Sequence, residues 1–217
     1  VHSGMLIQPM VEFARLVDRD GLGEEVAPDG ETFADKAAAY VAAAEETVAF
    51  HEEQWNDDGY YVFREDADFL TYAGVDLPLN QSNAMGRALI TLWQVTGEED
   101  YRDKASALAQ RLYNQLSASG GGWYWNYWGG TYSAPGEDVS HAAINVDFAV
   151  RAAEAGLVFS EADVEGFATS FMDSVYQDDR TFSDFVGGGS TNGSSYLPQV
   201  GRWLRLTPYR TGVYAAV

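Results

Sequence analysis

Three side chains of types that move protons or bind anions recur at similar spacing: Asn83, His141 and Tyr196, 58 and then 55 residues apart. Each opens a predicted helix, within Ser82-Asn83-Ala84, Ser140-His141-Ala142 and Ser195-Tyr196-Leu197. An amide, an imidazole and a phenol so placed would join hydrogen-bond donation to acid–base chemistry where helix N-termini offer positive partial charge. The opening His2-Ser3-Gly4 fits as a fourth member with its register displaced by one. Taken singly, Asn83 reads as a cap, Tyr196 as a packed aromatic and His141 as a core or capping residue. The shared register is what favours a site.

Other groups cluster near these positions. Glu137 and Asp138 precede His141; they complete a helix dipole, or Glu137 sits on the histidine or on a substrate and tunes the base. The run Trp123-Tyr124-Trp125-Asn126-Tyr127-Trp128, flanked by glycines, is denser in aromatics than a core requires and predicts a platform on which sugar rings stack. Gly187 to Gly193 lacks the Lys-Ser/Thr ending of a phosphate loop and reads as a mobile flap. His51, beside Glu52 and Glu53, reads as a solvated surface group. The three histidines lack the i, i+4 spacing of a metal pair and the chain has no cysteine, so neither a metal nor a cofactor is expected.

Helical periodicity must supply the elements that position these groups. It predicts helices over 3–18, with a kink at Pro9, and over 31–54, opened by Glu31 and Asp35. An irregular stretch over 56–79 follows, with a short strand at 59–64. Two helical pairs come next, 81–96 with 98–117 and 138–155 with 160–176, and a last helix spans 196–206. Ser160 and Asp163 form a capping-box pattern. Tight turns within pairs and long aromatic or glycine-rich loops between them indicate a repeat of helical hairpins. The expected class is all-α with few or no strands, a single domain over 1–217 arranged as an (α/α) toroid or an incomplete one. Six or seven hairpins need more than 217 residues, so an open arc or a fragment is expected.

Composition bounds the partners. Thirteen Lys plus Arg, only Lys36 and Lys104 being lysine, stand against 33 Asp plus Glu for a net charge of −20. Nucleic acid and anionic membrane surfaces are disfavoured, because phosphate binding needs a basic stripe. A content of 46% hydrophobic and 21% charged residues describes a folded chain with an acidic exterior. Excess acid with little lysine fits a high-salt, halophilic solvent, where the Debye length falls to about 3 Å at 1 M. No run of about 20 apolar residues is present to span a bilayer. The chain opens at Val1 without methionine or a basic-then-apolar leader, so a secretion signal is expected either to have been removed or never to have been there; between compartments, an extracellular or secreted setting is weakly favoured.

Three segments together resemble the (α/α)-toroid polysaccharide lyases, particularly the glucuronan lyase-like group related to alginate lyases. They are Leu77-Pro78-Leu79-Asn80-Gln81-Ser82-Asn83-Ala84-Met85-Gly86-Arg87-Ala88-Leu89, Glu137-Asp138-Val139-Ser140-His141-Ala142 and Gly201-Arg202-Trp203-Leu204. The resemblance implies β-elimination on a uronic-acid polysaccharide. It would make Asn83 the amide that neutralises the substrate carboxylate, His141 the base, Tyr196 the catalytic phenol and Glu137 an auxiliary acid. Substrate contacts would come from His2, Gln81, Arg87, Trp123, Tyr124, Trp125, Tyr127, Trp128 and Arg202. Family members usually also place an arginine near the tyrosine; this chain has none in the loop just before Tyr196, its nearest being Arg180, Arg202, Arg205 and Arg210.

Other classes remain open on sequence alone. A uronate C5-epimerase would use the same acid and base on opposite faces of the ring. A toroid glycoside hydrolase would need two carboxylates about 5–10 Å apart, drawn from Glu137 or Asp138 with Asp76 or Asp147. A non-catalytic glycan-binding protein would need only the aromatic run. The partner in each case is a saccharide, and a homo-oligomer is compatible with all of them.

Overall fold

The computed structural model describes residues 2–66, 71–128, 136–178, 181–189 and 197–217. The described residues are mostly helical: α1 (His2–Arg19), α2 (Phe33–Phe50), α3 (Leu79–Thr96), α4 (Glu99–Gln115), α5 (Val139–Glu154), α6 (Glu161–Ser170) and α7 (Val213–Ala216). Two small antiparallel pairs interrupt them, β1 (Ser117–Ser119) with β2 (Gly122–Tyr124) and β3 (Tyr176–Asp178) with β4 (Thr181–Phe182). The class is all-α, as the periodicity predicts. The stretch expected as a strand at 59–64 forms isolated bridge residues at Tyr61 and Val62 instead, Tyr61 pairing with Trp55. The predicted last helix is a 3₁₀ helix, Leu197–Leu206.

Internal packing divides the chain into two units, residues 1–75 with 81–108 and residues 76–80 with 109–217. In the first, α1 buries Ile7, Val11, Ala14 and Val17, a stripe at three- and four-residue steps, and packs on α2. Thr32 caps α2 by accepting from the Asp35 N–H at 3.1 Å, so Glu31 lies outside the helix, where it pairs with Lys36. Helix α1 runs through Pro9 and meets α3 at Gly4, where a Cβ would overlap the Ala84 backbone. His51 departs from the surface reading. Its ring is half-buried and bridges Gln54 Oε1 (Nδ1, 2.5 Å) and Ser3 Oγ (Nε2, 2.8 Å), tying the end of α2 to the start of α1.

The long pairs share a design. Helix α3 is buried on every side from Ser82 to Leu92, and α5 buries ten of its residues. Their successors are amphipathic. Helix α4 buries Ala105, Leu108, Ala109 and Leu112, while α6 buries Val164, Phe167 and Ala168, followed by Phe171. Each pair thus follows a helix buried on all sides with one that carries a single apolar stripe. Ser160 and Asp163 form the expected capping box at the start of α6. Beyond Ser170 the helix widens into a π turn, Phe171–Val175.

The aromatic run is not the open loop its glycines suggest. Gly122–Tyr124 is strand β2, and Ser117, placed by periodicity in the preceding helix, opens its partner strand. Gly120 and Gly121, both at positive φ, make the turn. The Trp123 indole lies over Gly166 and donates to the Asp163 carbonyl at 2.8 Å, fastening the hairpin to α6.

Candidate active site

The second unit builds its polar centre at the head of α5. Asp138 is the N-cap; its Oδ1 accepts from the Ser140 and His141 N–H groups, each at 3.1 Å. Its Oδ2 lies 2.5 Å from His141 Nδ1. His141 is thus the N3 residue, and its imidazole reaches back to the side chain of the cap. The backbone beneath is fixed by three bonds: Val139 N–H to the Asp184 carbonyl (3.0 Å), Val186 N–H to the Glu137 carbonyl (3.0 Å) and the buried Trp203 indole N–H to the Val139 carbonyl (2.9 Å).

Charge on the two adjacent acids diverges. Burial works to raise the Asp138 carboxyl, but bonds from the His141 ring, the His141 backbone and Ser140 outweigh it and hold the group below the usual carboxylate range. Glu137 is wholly buried, and that desolvation pushes its carboxyl well above the usual range although Trp125 and Asn145 donate to it and pull it down. Trp125 Nε1 and Asn145 Nδ2 (2.6 Å) both donate to Glu137 Oε2, while Oε1 has no hydrogen-bond partner among the described residues. Asp138 is therefore the charged member of the pair, and Glu137 the one driven towards the neutral acid.

This overturns two expectations. Glu137 does not reach the histidine or solvent; it is an interior acceptor for Trp125 and Asn145, and Asp138 holds the imidazole. Trp125, 1% exposed, cannot offer a face to a sugar and packs edge-on against Phe167. The signal for Asp138 lay in the sequence as an Asp at the cap position with a His three residues on, a spacing that makes both backbone and ring bonds available to one carboxylate.

The rest of the aromatic run is half-buried. The Tyr127 ring stands 5.2 Å from the His141 ring at a 53° tilt and contacts Trp128 edge-on at 6.2 Å. The Tyr127 carbonyl accepts from Leu79 N–H (3.3 Å), and the Trp128 indole donates to the Asp76 carbonyl (2.6 Å). Asp76 in turn pairs with Arg111, both largely buried. Tyr124 turns its hydroxyl to Asn126 at 3.3 Å. The structure thus brings His141, Asp138 and Tyr127 together and attaches Trp128 to the same segment.

In the first unit, Asn83 is 1% exposed on α3, where Arg87, one turn on, donates to Met5 Sδ at 2.8 Å. Gln81 is half-buried and His2 exposed, as is Arg202 in the second unit. The expected common register is broken by the helix starts: His141 is the third residue of α5, whereas Asn83 is the fifth of α3. Tyr196, Arg180, Gly129, Gly130 and residues 190–193 of the glycine-rich segment lie outside the described residues. A cavity of about 730 Å³ in the first unit, floored by Ala14, Val17, Ala37 and Ala38 and edged by Asp18 and Glu45, holds none of the predicted site residues.

No family model matches the chain, and no curated protein matches it in sequence. A solved structure described as a polysaccharide lyase superposes on 99% of this chain with a TM-score of 0.59 at 16% sequence identity. The chain shares that protein's fold and spans 62% of its length.

Proposed function

We propose that the chain acts on an acidic polysaccharide as a lyase, cleaving a uronic-acid-containing polymer by β-elimination. The observation that carries this reading is the Asp138–His141 pair: an imidazole at the head of an enveloped helix, its Nδ1 on a carboxylate and its Nε2 without a hydrogen bond to any described residue. The shared fold with a polysaccharide lyase supports it.

The chemistry explains the residue types. Removing the proton α to a uronate carboxylate builds negative charge on the carboxylate oxygens, so donors must meet it there. His141 takes the C5 proton, the C5–H electron pair forms the C4–C5 double bond, and the C4–O4 bond breaks as O4 receives a proton. The sequence resemblance, rather than a shared helix register, is what assigns the carboxylate-neutralising role to Asn83 and that of the acid to Tyr196. Arrangement as a toroid, glucuronan as the particular polymer and an extracellular setting belong to the same reading, supported by the sequence resemblance.

The carboxylates that a hydrolase would use are otherwise engaged. Glu137 is interior, Asp138 is held by the Ser140 and His141 N–H groups and the His141 ring, Asp76 is paired with Arg111, and Asp147 is paired with Arg151 (3.3 Å) and Arg205 (3.6 Å). The test is ultraviolet absorbance of unsaturated uronate ends during incubation with glucuronan or alginate. Absorbance lost in His141→Gln supports the lyase; new reducing ends without absorbance, or binding without cleavage, would overturn it.

A further inference from the structure

Asp138 is bound from two directions by different parts of the same helix turn. Its Oδ1 is committed to two backbone N–H groups, which fixes the carboxylate plane and leaves Oδ2 aimed at the His141 ring. Residues 137–139 cannot easily shift, since Asp184, Val186 and Trp203 hold their backbone. The Tyr127 ring closes one side of the imidazole. A neutral imidazole whose Nδ1 faces a carboxylate carries its proton on Nδ1 and its lone pair on Nε2.

His51 provides an internal contrast. Its nitrogens meet Gln54 and Ser3, both neutral, so its ring is a structural tie between two uncharged partners. His141 has a charged partner on one nitrogen only, and its side chain is 37% exposed.

We propose that Asp138 is a positioning residue that locks His141 in the Nδ1–H tautomer, so that His141 Nε2, rather than a phenolate, is the base that removes the C5 proton. The tautomer stands on the geometry alone; the identity of the proton rests on the lyase reading above. The proton passes from C5 to Nε2, and the resulting imidazolium is stabilised across the Nδ1–H bond by Asp138.

The decisive variant is Asp138→Asn. Asparagine caps helices as well as aspartate does, so Oδ1 keeps the two backbone bonds while an NH₂ group replaces Oδ2. Two donors cannot face each other, and the imidazole must take the opposite tautomer. The measurement is ¹⁵N NMR of histidine-labelled protein at about pH 9, above the reference imidazole value of ~6.5, with His141→Gln assigning the resonance and His51 as the unaffected control. Wild type should show a pyrrole-like Nδ1 and a pyridine-like Nε2 at His141, and Asp138→Asn the reverse.

On a uronate polymer the same variant should lose roughly 10³- to 10⁴-fold in kcat, the order seen when a wrong tautomer is imposed on a catalytic histidine. KM and the unfolding midpoint should stay near wild type. A wild-type His141 protonated on Nε2, or a variant that keeps both its tautomer and its kcat, would overturn the proposal. A wild type that makes no unsaturated product would overturn the lyase reading instead, while the NMR result would still decide the tautomer.

Discussion

The heads of α3 and α5 look alike in sequence and differ in what they expose. Both helices are enveloped, and the site candidates Asn83 and His141 stand 58 residues apart in matching motifs. Helix α5 starts two residues before His141, so the imidazole falls in the first turn with its side chain 37% exposed. Helix α3 starts four residues before Asn83, and that amide is 1% exposed in the core. A polar side chain at the start of a helix is presented by the cap; one turn further in, the same helix buries it. Register alone does not decide between these outcomes, and the position of the cap does.

That contrast can be broken by substitution. His141→Gln should lower kcat by about 10⁴-fold, the upper range for a lost general base, with an unfolding midpoint close to wild type because the ring is partly exposed. Asn83→Ala should instead also cost about 1–3 kcal/mol of stability, as removal of a buried polar group from its partners does; chemical denaturation with parallel kinetics separates the two. Equal stability losses at both positions would abolish the distinction.

Gly4→Ala probes what holds the α3 head. The added methyl overlaps the Ala84 backbone, and the forced shift of α1 should cost about 1–3 kcal/mol in urea unfolding. A smaller and pH-dependent effect is expected at Glu137. Its raised native pKa means the folded state holds the proton longer than the unfolded chain, so stability falls as pH climbs from about 4.3 towards the native value. Glu137→Gln keeps an acceptor for Trp125 and Asn145 and should flatten that slope in melting curves taken across pH.

The weakest effect is expected from salt. Both lysines are already shared, Lys36 between Asp29 and Glu31 and Lys104 between Glu52 and Asp100, leaving most of the −20 charge to solvent screening. Activity on a polyanionic substrate should rise from low to molar salt as repulsion is screened; a fall would count against the acidic exterior as a solvent adaptation.

The helices were legible because their apolar residues repeat every three or four positions and their caps are written in the sequence, Ser160 with Asp163 above all. His141 was singled out by its type and its spacing from Asn83 and Tyr196. The signal for its partner was present as an Asp at the cap position three residues before it, but Glu137 and Asp138 are adjacent acids and only the cap geometry sends one into the core and the other to the ring. The aromatic run misled for a related reason. Its composition suits a sugar platform, yet Trp125 is drawn inward to Glu137 and Trp123 is fastened to α6, while Tyr127 stands beside the histidine with Trp128 against it. Residue type announces aromatic surface, whereas the strand pairing of β1 with β2 decides which rings keep it.

The central claim is that His141 removes the C5 proton of a uronate, and a polymer deuterated at C5 tests it most directly. Incubated with the wild-type chain, each cleavage should release one C5 deuteron to solvent and leave one unsaturated end, with neither event in His141→Gln. Cleaved product that keeps its C5 label, or label lost without cleavage, would contradict the account.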